Sequence, residues 1–402
     1  MIRREVNQDV ACSVVETHCA RHVHVVATPR SAANVAQQTC DALRAVRAVM
    51  EDHGASESIV QQSLFVANLD QIDACRAVVD EVFGREMPAT TYVPQAPCGD
   101  AAVVVEAFGL APAGESIRIE RRSNHLVVVR HDGVSWCHCG HVPPIHCNGS
   151  VYEGSLDAFG RMANVLEEAG FGFGQVVRTW LYLGDIIGQE GDRQRYHELN
   201  RARADYFSRI SFQKPSGRNG RNFYPASTGI GAEGRGMLMS CIAMQSDRDD
   251  FVVVPLENPC QTSAFDYAPC HGPASPRFSR AAAVILGGLA TVFISGTASI
   301  IESRSLHTGD VERQTDQTLD NIAALIAEEN CQSHGLNGFG ATLNDLARMR
   351  VYLKRSSDFQ RVREICHRRA GDLPVVYTVA DICRPELLVE IEALAYTRRA
   401  ER

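Results

Sequence analysis

Near its end the chain reads Cys383-Arg384-Pro385-Glu386-Leu387-Leu388-Val389-Glu390-Ile391-Glu392-Ala393. A guanidinium and a carboxyl share one short run whose remaining residues suit a buried strand. A carboxyl among apolar neighbours is costly unless it is paired or used. Burial favours its neutral form, so Glu390 is a candidate proton donor near neutral pH. Arg384 offers a planar fork that grips a carboxylate through two hydrogen bonds. The plainer alternative is a structural ion pair between the two inside the fold.

Other candidate chemistry is weaker. Cys137, Cys139, His141, His146 and Cys147 have ligand-type side chains. Their Cys-x-Cys spacing inside an expected hairpin is not the two well-spaced pairs of a closed zinc site, so buried thiols and surface histidines are expected, and no metal. Gly229-Ile230-Gly231 lacks the third glycine and the strand–helix frame of a phosphate loop.

The elements that must position Glu390 recur along the chain. A pattern of long amphipathic helix, strand, second helix and final strand repeats every 120 to 150 residues or so. In the first copy these are 33–53, 59–68, 71–83 and 101–108. In the second they are 156–168, 176–183, 193–207 and 237–244. In the third they are 313–330, 346–353, 358–369 and 387–396. Hairpins precede the later copies, at 116–129 with 134–140 following, and at 280–296. The first copy shows only a short version, around 22–27. The boundaries fall near Pro112 and Asp249, giving units 1–113, 114–249 and 250–402. The fold class is α+β, with helices covering one face of each sheet. Three such units could close into a ring, as the subunits of a homotrimer would. With Ala393 set against Ala107 and Ala243, Val104 and Ser240 stand where Glu390 stands, so one copy carries the complete acid and arginine set.

Composition bounds the rest. The 402 residues are 45% hydrophobic and 22% charged, with a net charge of −8 and no basic block. Nucleic acid is not an expected partner. The longest apolar run, 284–294, is far short of a membrane span, and residues 1–9 lack the apolar core of a signal peptide. Fourteen scattered cysteines then suggest reduced thiols in the cytoplasm.

Each repeat resembles the YjgF/YER057c/UK114 (RidA) fold. In the third copy the resemblance is carried by Phe293-Ile294-Ser295-Gly296-Thr297-Ala298, Gln317-Thr318-Leu319-Asp320-Asn321-Ile322 and the 383–393 run. A closer resemblance, over roughly 118–398, is to the chorismatase family and its 3-hydroxybenzoate synthases. It adds 182–186, 196–200, Tyr224-Pro225-Ala226-Ser227-Thr228-Gly229-Ile230-Gly231 and the segment from Glu257-Asn258-Pro259 to Arg280. Cys260, Cys270, His271 and the 137–141 segment depart from the family pattern.

The resemblance implies three tandem RidA-like units (β-β-α-β-α-β) packed as an intramolecular pseudo-trimer without a cofactor; a monomer is expected, since such a chain makes an obligate homotrimer unnecessary, with a higher oligomer left open. It implies chorismate as the substrate, with loss of pyruvate and release of a hydroxybenzoate. Glu390 would protonate the enolpyruvyl ether and Arg384 would hold a carboxylate. Gly296 and Cys383, seven residues before Glu390, match the pattern of the 3-hydroxybenzoate branch. Tyr224 and Tyr267 would line the pocket. Arg203 and Arg221 are candidates for the second carboxylate. The rivals are a diol-forming chorismate hydrolase, a RidA-type enamine/imine deaminase, which lacks the 258–280 segment, and a non-enzymatic ligand-binding scaffold.

Overall fold

A computed structural model describes residues 2–7, 9–29, 33–114, 116–145, 149–212 and 223–400. Its frame is three six-stranded sheets, one from each third of the chain. Numbered in chain order within each sheet, the strands of all three follow the order 1-2-3-6-4-5. Every neighbouring pair is antiparallel except 4–5, whose connection runs through a helix.

Each sheet carries its helices on one face. The first has Val35–Asp52 and Ile72–Phe83, the second Val151–Glu168 and Arg195–Phe207, and the third Val311–Ile326 and Phe359–Ala370. The first helix of each set opens on a side-chain cap (Asn34, Ser150, Asp310) that accepts from the backbone N–H three residues on. Apolar residues at helical spacing, such as Leu43, Val46 and Met50, turn to the sheet. Three apolar clusters therefore lie between a sheet and its own helices. A fourth, with Phe65, Phe108, Trp136, Trp180, Phe293 and Tyr396, draws on the opposite faces of all three sheets. Ion pairs cross it: Glu106 of the first sheet accepts from Arg348 and Arg350 of the third, and Arg178 of the second donates to Glu392 at 2.7 Å.

Four sequence expectations are corrected. The first copy has a full antiparallel set, Ile2–Val6, Val10–Glu16 and Ala20–Ala27, rather than a short hairpin. Arg3, Arg4 and Glu5 hid it, because an edge strand tolerates charged faces. Strand 5 of each sheet, Ala89–Pro94, Ala226–Ala232 and Val375–Val379, went unassigned; small polar residues and a terminal proline weaken the signal. The helix expected over 313–330 stops at Ile326. Ala327 is extended, the Ile326 carbonyl accepts from Ala341 N–H, and a short helix restarts at Glu328.

The fourth concerns register. Bulges fix which residues correspond across sheets, and Leu346 opposite Ala395 matches Val176 opposite Ala243 and Ile59 opposite Gly109. Ala395 thus corresponds to Ala243, so Leu238, not Ser240, stands where Glu390 stands. Ser240 and Glu106 correspond to Glu392, and Val104 still corresponds to Glu390.

Candidate active site

A cavity of about 220 Å³ opens between the second and third sheets. The Val389–Arg398 strand alternates: Val389, Ile391 and Ala393 enter the cluster beneath the helices. Glu390 points the other way, into the cavity wall. It is only 5% exposed. Burial, and next the charge of Glu392, push its carboxyl up to about 8, with Arg178 and Arg280 opposing. Among the described residues no side chain donates a hydrogen bond to it.

Gly296 explains how a carboxyl fits there. The register between the Leu289–Ala298 strand and the Glu390 strand shifts between Ile294 and Thr297, and Gly296 lies in that bulge. Its N–H donates to Thr228 Oγ1 at 3.0 Å. A β-carbon at 296 would collide with Oε1 of Glu390. The missing side chain therefore houses the acid itself.

Three arginines surround the acid, and none of them pairs with it. Arg384 follows Cys383 into a turn closed by Leu387 N–H on the Arg384 carbonyl, with Pro385 at its second position. It donates to Ser303 O (2.9 Å) and Ser305 Oγ (3.1 Å). Its guanidinium lies 5.5 Å from the Tyr267 ring centroid. The structural Arg384–Glu390 pair is thus not what forms. Arg203 comes from the Arg195–Phe207 helix and donates to Asn200 Oδ1 (2.5 Å) and Ser227 Oγ (3.4 Å). Arg280 donates to Thr262 O (2.9 Å) and Tyr267 Oη (2.7 Å). Both sit near the Phe278 ring, at 5.4 and 5.5 Å. In both, Nε is buried without a partner. Such donors are costly to leave unsatisfied. With Glu390 neutral, the only carboxylate lining the cavity among the described residues is Glu386, which accepts from Ser305 Oγ at 2.6 Å. Three guanidinium charges against one suit an anionic ligand.

Cys383 also lines the cavity, and its carbonyl accepts from Gln194 Nε2 at 3.2 Å. Burial, then the neighbouring Glu390, push its thiol up to about 12, so it is a compact neutral wall rather than a nucleophile.

Of the residues expected from sequence, Glu390, Arg384, Cys383, Gly296, Tyr267 and Arg203 meet here. Tyr224 does not line the cavity. It packs in the apolar cluster under the second sheet, with Phe207 at 6.2 Å and Phe265 at 5.5 Å, because it precedes the Ala226–Ala232 strand and turns to the helix side. Arg221 lies outside the described residues. Sequence reading passed over Arg280, Tyr196, Ser227 and Phe278. The quoted 196–200, 224–231 and 257–280 segments contain all four, and nothing local marked them as lining.

No cation site stands out among the described residues. Cys137 and Cys139 are buried in an apolar cluster, while His138 faces Gln61 of the first sheet at 3.2 Å. His146 and Cys147 lie outside the described residues. Glu5, Cys12 and His53 do bring ligand-type atoms together. There His53 Nε2 lies 3.8 Å from Cys12 Sγ and 3.7 Å from Glu5, while the Arg3 guanidinium already lies 3.3 Å from His53 Nδ1 and 3.2 Å from Glu5. No helix among the described residues is long and apolar enough to cross a membrane.

Comparison with known proteins agrees with this layout. The family described as "Chorismatase FkbO/Hyg5-like, N-terminal" matches residues 115–243, and "Endoribonuclease L-PSP" matches 272–397. A 3-hydroxybenzoate synthase of Streptomyces hygroscopicus is 36% identical over 278 residues, covering 67% of this chain and 76% of that protein. A chorismatase of Streptomyces rapamycinicus is 32% identical over 280 residues, 66% of this chain and 77% of that protein. A chorismatase crystal structure superposes with a TM-score of 0.67 at 23% identity, over 94% of this chain and all of that one, which speaks for the fold. With the family motifs falling on the walls of one cavity, the chain belongs to the chorismatase family.

Proposed function

We propose that the protein converts chorismate to pyruvate and a hydroxybenzoate, 3-hydroxybenzoate in particular. The observation that carries this is a buried Glu390, its carboxyl pushed up to about 8, facing a cavity walled by three arginines. Chorismate brings two carboxylates and an enolpyruvyl ether. Arg203, Arg280 and Arg384 supply more than enough fork-shaped donors for the carboxylates. Glu390 delivers its proton to the vinyl methylene, giving an oxocarbenium ion. The ring hydroxyl then displaces the side chain, the ether C–O electrons become the carbonyl of pyruvate, and an arene oxide remains. The proton of that hydroxyl returns to Glu390 as the oxide forms, and aromatisation then moves a ring proton onto the oxygen of the opening epoxide, with no net proton change. No water is consumed and nothing is oxidised, so the chemistry calls for no cofactor.

The units 1–113, 114–249 and 250–402 are read as an intramolecular pseudo-trimer with one competent site. Their common strand order and the cluster drawn from all three sheets support this. Val104 and Leu238 leave the other two equivalents of Glu390 without an acid.

The direct test is to incubate the purified protein with chorismate and follow pyruvate and aromatic products by chromatography. Pyruvate with 3-hydroxybenzoate is expected; no pyruvate above blank refutes the reading, and a diol alone refutes the product assignment.

A second expectation concerns the wall. Gly296→Ala puts a methyl group where the Glu390 carboxyl rests, and the end of a flexible side chain yields before the backbone does. Turnover should fall on the order of 10- to 100-fold through misplacement of the acid. Combined with Cys383→Ala, the product ratio should shift from hydroxybenzoate toward diol as the wall around the ring changes. An unchanged ratio by chromatography would remove both residues as product determinants.

A further inference from the structure

Glu392 stands two residues from Glu390 on the same face of the same strand, yet it is surrounded quite differently. It accepts from Arg178 Nη2 (2.7 Å) and Trp180 Nε1 (2.7 Å), and Arg350 lies 3.4 Å away. Arg350 is chiefly committed to Glu106, to which it donates at 2.6 and 2.9 Å. Arg178 is therefore the main counter-charge of Glu392. The same Arg178 nitrogen donates to Thr228 Oγ1 at 2.5 Å, the oxygen that also accepts from Gly296 N–H. Arg178 is 2% exposed, and its other terminal nitrogen, Nη1, is buried with no partner. One guanidinium thus stands between two carboxyl groups and has been claimed by only one of them.

We propose that Glu392 is a positioning residue for the reaction: by holding Arg178 through a buried ion pair, it keeps that guanidinium from pairing with Glu390 and so keeps the proton on the acid. The inference rests on Glu390 being the proton donor. The titratable and charged groups around Glu390 are Glu392 on its own strand, Arg178 from the second sheet, Arg280 from the loop between the first two strands of the third, Cys383, Arg384 and Glu386 from the preceding loop, and Tyr196 and Arg203 from the helix opposite, with Arg203 tied to Asn200 and Ser227 and Arg384 to Ser303 and Ser305. Arg280 is tied to Tyr267 and Thr262, while Cys383 and Tyr196 are neutral. Glu392 and Arg178 are the pair free to set the balance. Once the proton has left, the new carboxylate lies within the field of Arg178, whose Nη1 is buried and unpartnered, so the charge formed in the transfer meets a positive charge already in place.

Two variants should move the enzyme in opposite directions. Glu392→Gln keeps the shape but releases Arg178 toward Glu390. The alkaline limb of the kcat/KM profile should move at least one pH unit lower, with activity regained in more acidic buffer. Arg178→Met removes the competing charge, so the limb should move to higher pH. A loss of rate with the limb unmoved, or shifts of both variants in one direction, would reduce Glu392 to a structural role and overturn the proposal.

Should either variant fail to fold, infrared titration of protein carrying ¹³C-labelled glutamate decides. In the wild type the protonated-carboxyl band that disappears above neutral pH should be absent in Glu390→Gln. If that band survives there, the proton resides elsewhere and the proposal fails. This readout needs no turnover, so it is separate from the identity of the substrate.

Discussion

Glu390→Gln is expected to lower turnover of chorismate by about 10³-fold, the middle to upper range for losing a positioned general acid. The loss should fall on kcat, since the amide still fills the place beside Gly296 and still admits substrate. Stability should move the other way. The folded state holds the Glu390 carboxyl at about 8 against 4.5 for the unconstrained group, mainly through burial. The folded protein therefore binds the extra proton between those values, and its stability declines as pH rises through that window. Above it, ionised Glu390 costs on the order of a few kcal/mol. The amide carries no such cost. Thermal unfolding at pH 9 should show the variant more stable than the wild type, with the gap closing toward pH 5. An inactive variant with no gap would mean that Glu390 is ionised in the resting protein. Full activity in the variant would remove Glu390 from the chemistry altogether.

Arg280→Ala and Arg203→Ala should produce the other large effect. Each removes one side of a buried charge contact, worth about 2–5 kcal/mol, or tens- to thousands-fold in kcat/KM. Here the loss should fall mainly on KM, in contrast to the acid. Lysine should restore only part of it, because an ammonium keeps the charge and not the fork. Arg280 also anchors Thr262 and Tyr267, so its lysine variant is the cleaner comparison. Unchanged KM in all four proteins, measured by steady-state kinetics, would leave Arg384 as the sole clamp.

What the sequence exposed and what it hid follow from how far apart the contributing residues lie. Cys383, Arg384 and Glu390 are eight positions from end to end, so their chemistry shows in one glance along the chain. The helices showed through their caps and apolar stripes. Arg203, on a helix of the second unit, was marked only as one of two candidates and Arg280, on a loop, not at all; only packing brings both to Phe278. Tyr224 followed its motif and missed the cavity because one turn of backbone decides which side of a strand a ring takes. The bulges were decisive and silent. The bulge common to all three sheets aligns Ala243 with Ala395 rather than Ala393, so the second copy's counterpart of Glu390 is Leu238, two residues before Ser240. Gly296, which the resemblance matched to a product branch, is space for the acid.

The three sheets share one strand order but not one sequence. In a trimer of identical chains, any substitution on the inward face appears three times, and a buried acid placed for catalysis would be imposed on every interface at once. A single chain breaks that obligation. Each wall drifts on its own, so Leu238 and Val104 can serve as inert ballast while the third wall bears the strain of a protonated glutamate. The buried pairs of Glu106 with Arg348 and Arg350, and of Glu392 with Arg178, then act as keys that fit only one order of assembly. Cutting the chain into its parts and mixing them should return the one arrangement that matches every charge, and no ring of three like pieces.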